Sequence, residues 1–155
     1  MLKYNLTYKL VVFRTFNKQR NDHLKKSLMS HFTKIKTKLY NLETLKKSLS
    51  DLNFEWTTGN EEVRGYQGQK HSAELVLKQE NKHDIGFKWN GNEYELVTDL
   101  MFWAQPSSVD NFLNQINQRY AYNSILQVSE KEGFHFSESE SNQDGTVRLV
   151  LRRFR

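Results

Sequence analysis

From residue 32 the chain alternates. Thr33, Ile35, Thr37 and Leu39 take one side and Lys34, Lys36 and Lys38 the other. Period two predicts a half-buried strand, and the lysine-rich side suits a sheet edge. The period then changes. Leu42, Leu45, Leu49 and Leu52 follow at spacings of three, four and three, one face of a helix. Asn41 stands where an N-cap is needed, and Asn53 can close the helix in the left-handed conformation. Phe54 and Trp56 open a second strand, and "TTGNEE" at 57–62 reads as a loop. "VRGYQG" carries Gly65 and Gly68 at a bend or bulge, and Ala73 to Leu77 is a short strand. Ile85, Phe87 and Trp89 alternate into Asn90-Gly91, a hairpin signal, and Tyr94, Leu96 and Thr98 return on the partner strand.

Pro106, the single proline, sits in a connection. Ser107 or Ser108 caps a second helix, and Asp110 suits the positive end of its dipole. Val109, Phe112, Leu113, Ile116 and Tyr120 supply its buried face, and the pattern runs on to about Glu132, with a break near Ala121 one option. Gly133 ends it. Phe134 and Phe136 begin a strand, "SNQDGT" turns, and Val147, Leu149 and Leu151 close the chain. A faint repeat is visible: each helix runs into a small residue and then aromatic–x–aromatic, Asn53-Phe54-Glu55-Trp56 and Gly133-Phe134-His135-Phe136. We read it as two similar helix-to-strand turns rather than two duplicated halves. The order from residue 29 is β-α-β-β-β-β-α-β-β. The predicted fold is α+β, a mostly antiparallel sheet with two helices packed on one face.

The first twelve residues also alternate, Leu2, Tyr4, Leu6, Tyr8, Leu10 and Val12 against polar neighbours, and are strand-like. Residues 14–28 are polar and basic. Charge separates this stretch from the rest. Of 23 basic and 18 acidic residues, seven and one fall within 1–28, a net of +6. That leaves 16 and 17 for 29–155, a net of −1. The basic character of the chain resides in the leader, so the electrostatic case for nucleic acid as a partner of the remainder is weak. We expect 1–28 to be a basic extension, disordered or not native, and 29–155 to be a single α+β domain beginning at Met29. With 155 residues and no cysteine, one core is expected and disulfides, thiolate catalysis and Cys-based metal sites are excluded. The longest apolar run, Leu100 to Ala104, is far short of the ~20 residues of a membrane helix.

The stretches "MSHFTKIKT", "VRGYQGQ", "DIGFKWNGNEYELVTDL", "QRYAY" and "DGTVRLVLRR" carry a resemblance. In this order and spacing they resemble the plastid and cyanobacterial family of hypothetical chloroplast reading frame thirty-five, whose small members open with Met-Ser-His-Phe. The resemblance spans 29–155. It implies plastid or cyanobacterial origin and a single soluble domain, and it implies no biochemical activity. Residues 1–28 have no counterpart in it. The location it implies is the chloroplast stroma, or the cytoplasm for a cyanobacterial protein.

Candidate chemistry is sparse. Asp84, Glu93, Glu95 and Asp99 cluster around the central hairpin, where paired carboxylates could serve acid–base work or a hard cation. Alternation turns the two glutamates to solvent, and the aspartates stand at strand ends where Asp makes turn bonds. The histidines His23, His31, His71, His83 and His135 include no pair at helical metal-ligand spacing, and His83 and Asp84 are adjacent in a strand, facing opposite ways. We therefore assign no catalytic residue, metal ligand or cofactor. Two pieces stand out. Arg64-Gly65-Tyr66 and Arg119-Tyr120-Ala121-Tyr122 each set an arginine beside an aromatic, so Arg64, Tyr66, Arg119 and Tyr122 are candidate ligands for an anion. Against this stands the plainer reading of structural ion pairs. Phe102 and Trp103, in "LMFWAQP", are either core or an exposed docking patch for a protein. The functional expectation is a non-catalytic accessory module that binds another plastid protein. The alternatives are a small-anion binder or enzyme using the Arg/Tyr residues, and an RNA-binding factor. The acidic neighbours of Phe87, Trp89 and Tyr94 speak against an RNA-reading sheet.

Overall fold

A computed structural model describes residues 4–10, 32–143 and 146–153. The expected start at Met29, most of the leader and the centre of the "SNQDGT" turn lie outside them. The elements are β1 (Tyr4–Leu10), β2 (Phe32–Leu39), α1 (Leu42–Asp51), β3 (Thr57–Arg64), β4 (Lys70–Leu77), β5 (Ile85–Trp89), β6 (Tyr94–Asp99), α2 (Val109–Lys131), β7 (His135–Ser141) and β8 (Val147–Arg153). From β2 onward the order is the predicted one. Single 3₁₀ turns lie at Tyr66–Gly68 and Leu100–Phe102.

The class is α+β and the strand pairs are antiparallel, but the strands divide into two sheets. Five form the order β2-β6-β5-β4-β3, and three form β1-β8-β7. The predicted lysine-faced edge strand is β2. Strand β1, from the leader, follows its alternation and pairs along its full length with β8, so the expectation of a disordered extension does not describe residues 4–10. Helix α2 runs through Ala121 without a break and touches β2, β7 and β1. It therefore lies with α1 against the five-stranded sheet, as expected, and in addition reaches the second sheet.

The local signals explain the ends of the elements. Asn41 Oδ1 accepts the Thr44 N–H at 2.9 Å and Ser108 Oγ that of Asn111 at 3.3 Å, both N-caps. Asn53 and Gly133 have φ of 61° and 79°. Phe54 N–H donates to Leu49 O and Phe134 N–H to Ser129 O, each at 2.9 Å. Both helices thus end in the same left-handed closure, with the following aromatic returning to the last turn. This accounts for the faint repeat. The hairpin at Asn90-Gly91 is a four-residue loop, in which Asn90 Oδ1 accepts from Asn92 and Glu93 and Gly91 takes a φ of 100°.

The main core lies between the five-stranded sheet and the helices. Leu39, Leu45, Leu49, Leu75, Ile85, Phe87, Leu96 and Ile116 are fully buried there. A smaller cluster, Val63, Ala73 and Val76 with Phe32 packed on it, is separate. Alternation puts Val76 on the face opposite Leu75 and Leu77, away from the helices. Here the sheet curls. Gly65, at the end of β3, lies so close to the Phe32 ring of β2 that a Cβ would stand 2.4 Å from Cζ, although these two edge strands are not hydrogen-bonded neighbours. The curl depends on glycine in β5 as well. A Cβ on Gly86 would lie 2.4 Å from Val63 Cγ2 and 3.0 Å from Ala73 Cβ. Gly86→Ala should therefore destabilise by about 1–3 kcal/mol, the range for an over-packed core. Urea unfolding checks this, and an unchanged midpoint would show that the curl relaxes freely.

Candidate functional site

At the curled end three segments meet: the tip of β3, the turn from Gln79 to Asp84, and the 3₁₀ turn after β6. Asp84 organises them. It is 1% exposed. Its carboxylate accepts Arg64 Nε and Nη2, both at 2.7 Å, and the backbone N–H groups of Arg64 and Gln79, both at 3.2 Å. The Asp84 N–H returns a bond to Arg64 O at 2.9 Å. Burial pushes this carboxyl upward, but the Arg64 side chain and the two backbone donors outweigh it and hold the group below the usual carboxylate range. Buried Gln79 accepts from Ala104 N–H at 3.2 Å and Gln105 Nε2 at 3.0 Å, and donates to His83 O. This ties the turn to the segment after β6.

On this frame three rings stack. Phe102 lies between His83, centroids 3.9 Å apart and 13° between planes, and Tyr66, at 5.6 Å and 16°. Asn81 Nδ2 holds the Phe102 carbonyl at 2.7 Å, and His83 Nδ1 lies 2.8 Å from Asn81 O. Beside the stack Met101 is 68% exposed and Leu100 is exposed at its margin. Three sequence candidates, Arg64, Tyr66 and Phe102, are thus brought into one assembly. His83, Gln79 and Asn81 belong to it too. No spacing along the chain announced them, because their partners are contributed by distant turns.

Arg119 and Tyr122 form a different assembly. Arg119 Nε donates to Asp51 Oδ2 at 2.8 Å, and its guanidinium lies 4.8 Å from the Tyr122 ring centroid. Asn123 Nδ2 reaches the same Asp51 oxygen at 2.9 Å and Ser48 Oγ at 3.0 Å. Burial raises the Asp51 carboxyl, yet hydrogen bonds from Asn123, Lys47 and Arg119 leave it lowered. This network fastens α2 to α1. Each candidate arginine is therefore bound to an aspartate, the plainer of the two readings, and the two Arg/Tyr pairs are built on different elements. Trp103 does not share the fate of Phe102. Its indole N–H donates to Ser107 O at 2.7 Å and its ring meets Phe112 edge-on at 5.1 Å, against the main core. The docking alternative for Trp103 gives way to the core one, because the backbone after Phe102 turns inward to reach α2.

The hairpin carboxylates make local bonds. Glu93 Oε2 accepts the Lys38 N–H at 2.6 Å, Glu95 Oε1 accepts Asn90 Nδ2 at 2.8 Å, and Asp99 caps the 3₁₀ turn through Met101 N–H at 3.1 Å. Among the described residues no group of three or more His, Cys, Asp or Glu side chains is placed to hold a metal ion. An open groove of about 440 Å³ beside β3 and β4 is lined by Gly59, Glu61, Glu62, Arg64, Lys70 and Lys78. Its charges pair internally, Lys70 with Glu62 at 2.5 Å and Lys78 with Glu61 at 3.7 Å. It lacks the apolar lining of a small-molecule pocket. Among the described residues no helix is long and apolar enough to cross a membrane.

Comparison with known proteins agrees with the resemblance read from the sequence. The family described as "Protein of unknown function (DUF1257)" matches residues 48–150. A protein of Guillardia theta named "Uncharacterized protein ycf35" is 50% identical over 127 residues, 82% of this chain and 99% of the relative. Proteins of the same name from Cyanophora paradoxa and Pyropia yezoensis are 42% and 40% identical, covering 82% and 81% of this chain and 99% and 98% of their own. No solved structure matches. The relatives of this name come from plastid genomes of algae, which points to a plastid origin. Matched along about two thirds of its length by the family and at up to half identity by these relatives, the chain belongs to the ycf35 family, a family of proteins of unknown function.

Proposed function

We propose that this protein is a non-catalytic accessory module of the plastid stroma, or of the cytoplasm in a cyanobacterial relative, and that it binds another protein through the Phe102 face. Residues 29–155 are the functional unit, with β1 added to its second sheet. The observation that carries the reading is the His83–Phe102–Tyr66 stack with exposed Met101 beside it. Rigid aromatic rings already stacked lose little entropy on contact, and methionine adapts to a partner's shape. The Arg64–Asp84 pair holds this face in place and already balances the Arg64 charge with a bidentate carboxylate, which weighs against the small-anion alternative. The net charge of −1 over 29–155 weighs against RNA.

Tagged full-length protein tests the reading in plastid extract, compared with Met101→Ser and with Tyr40→Ser, an exposed site on another part of the surface. A defined partner should be recovered with wild type and Tyr40→Ser and fall at least ten-fold with Met101→Ser. Equal recovery with all three, or capture of RNA by residues 29–155 that persists at moderate salt, overturns the reading.

A further inference from the structure

Strand β8 is the centre of the three-stranded sheet, and its two neighbours do not fit it equally. One side of β8 carries Leu149 and Leu151, both fully buried, and the other carries buried Val150 flanked by Arg148 and Arg152, which remain partly exposed. On the β7 flank these arginines meet acids: Arg148 Nη1 lies 3.6 Å from Glu140 and Arg152 Nη2 3.9 Å from Glu138. On the β1 flank the register is seven pairs without a bulge, Tyr4 opposite Arg153 through Leu10 opposite Val147. Leu6 and Tyr8 stand opposite Leu151 and Leu149, so the apolar positions match. The polar positions do not. Lys9 stands opposite Arg148, and uncharged Asn5 opposite Arg152. Like charges directly opposite one another weaken a strand pair, and opposite charges strengthen it. Among the described residues the element that follows β1 is β2, which begins at Phe32.

We propose that the outer edge of β8 is a strand-acceptor site for an extended segment of a partner protein, alternating apolar residues with acids, and that β1 is the weaker, resident occupant of that site. Backbone hydrogen bonding to the β8 edge, once β1 is displaced from it, supplies affinity in such an addition, and the alternate side chains supply selectivity. Apolar residues of the incoming strand take the places of Tyr4, Leu6, Tyr8 and Leu10. Its acids face Arg148 and Arg152, completing on this flank the pairing that Glu140 and Glu138 make on the other. This surface is separate from the Phe102 face and does not depend on it.

Two labelled peptides test the proposal against the full-length chain. One has the sequence of residues 4–10, and the other is the same with Asn5→Glu and Lys9→Glu. By fluorescence anisotropy the acidic peptide should bind at least ten-fold tighter, and 0.5 M salt should narrow the difference. Hydrogen exchange should show β8 amides still protected while β1 amides lose protection. Lys9→Glu in the full chain should strengthen the resident strand and reduce capture of the acidic peptide several-fold. Equal binding of the two peptides, binding undiminished by a central Thr7→Pro in the acidic peptide, unchanged β1 protection, or assembly of the chain into dimers in place of peptide binding each overturns the proposal. Failure here leaves the Met101→Ser comparison to decide the Phe102 reading on its own.

Discussion

Asp84→Ala should cost about 3 kcal/mol of stability at neutral pH, the low end for breaking a buried ion pair. In a chain of this size that lowers Tm by roughly 6–12 °C. The carboxylate receives four hydrogen bonds, two from the Arg64 fork and two from backbone N–H groups. Alanine removes all of them. Arg64, with its side chain 41% exposed, can turn to water, but the Gln79 N–H is buried and loses its acceptor. Arg64→Lys should cost less, because an ammonium keeps the charge and loses the fork. The effect has a definite pH dependence. Folding lowers the Asp84 carboxyl below its ordinary value, so the unfolded chain takes up the proton first as pH falls. The contribution is complete above the unfolded value of about 3.9 and disappears as pH drops through the folded one. Asp51, also lowered, adds to the same acid window. Wild type and Asp84→Ala should therefore differ by a constant amount above about pH 5 and converge below about pH 4. A difference at pH 7 smaller than about 1 kcal/mol, in the range of an exposed pair, would mean that Asp84 does not organise this end of the molecule.

Phe112→Ala should be at least as damaging, about 3–5 kcal/mol. Phe112 is 1% exposed and lies between two rings, Phe54 at 5.2 Å and 66° and Trp103 at 5.1 Å and 81°, both edge-on contacts. Removal opens a cavity between the end of α1, the start of α2 and the segment leaving the 3₁₀ turn. Trp103 loses its wall, so its emission should shift to the red in the folded variant. Guanidinium unfolding followed by tryptophan fluorescence measures both effects. A cost below about 1.5 kcal/mol would place Phe112 at a site that collapses without penalty. Phe112→Leu, which keeps most of the volume, should recover much of the loss.

Much of the fold could be read from local patterns. Each strand and helix from β2 to β8 appears in order, because alternation and the three-four spacing reflect burial along one element. Asn41, Ser108, Asn53 and Gly133 do what their positions suggest, since a cap is satisfied within four residues. The second strand is the exception: the alternation of Phe54 and Trp56 points to a strand there and "TTGNEE" to a loop at 57–62, but the strand is β3, Thr57–Arg64, and the two aromatics precede it and pack on the main core. The candidate site was legible only in pieces. Arg64 and Tyr66 drew notice through their neighbours, but nothing local says that Arg64 meets an aspartate 20 positions later or that Tyr66 stacks on a phenylalanine beyond β6. Phe102 and Trp103 are adjacent, equally apolar and fated differently, a distinction set by which way the backbone turns.

The residues alone establish an α+β chain without cysteine, its element order, its caps, a leader that holds the positive charge, and membership in a family by resemblance. Those properties depend on composition or on contacts a few residues apart. The division into two sheets, the curl that brings Gly65 under Phe32, the burial of Asp84 and the three-ring stack depend on long-range register and on close approach between strands that are not neighbours. A period of two says which side of a strand is buried, not which strand lies beside it, so these features exist only once the chain has closed on itself.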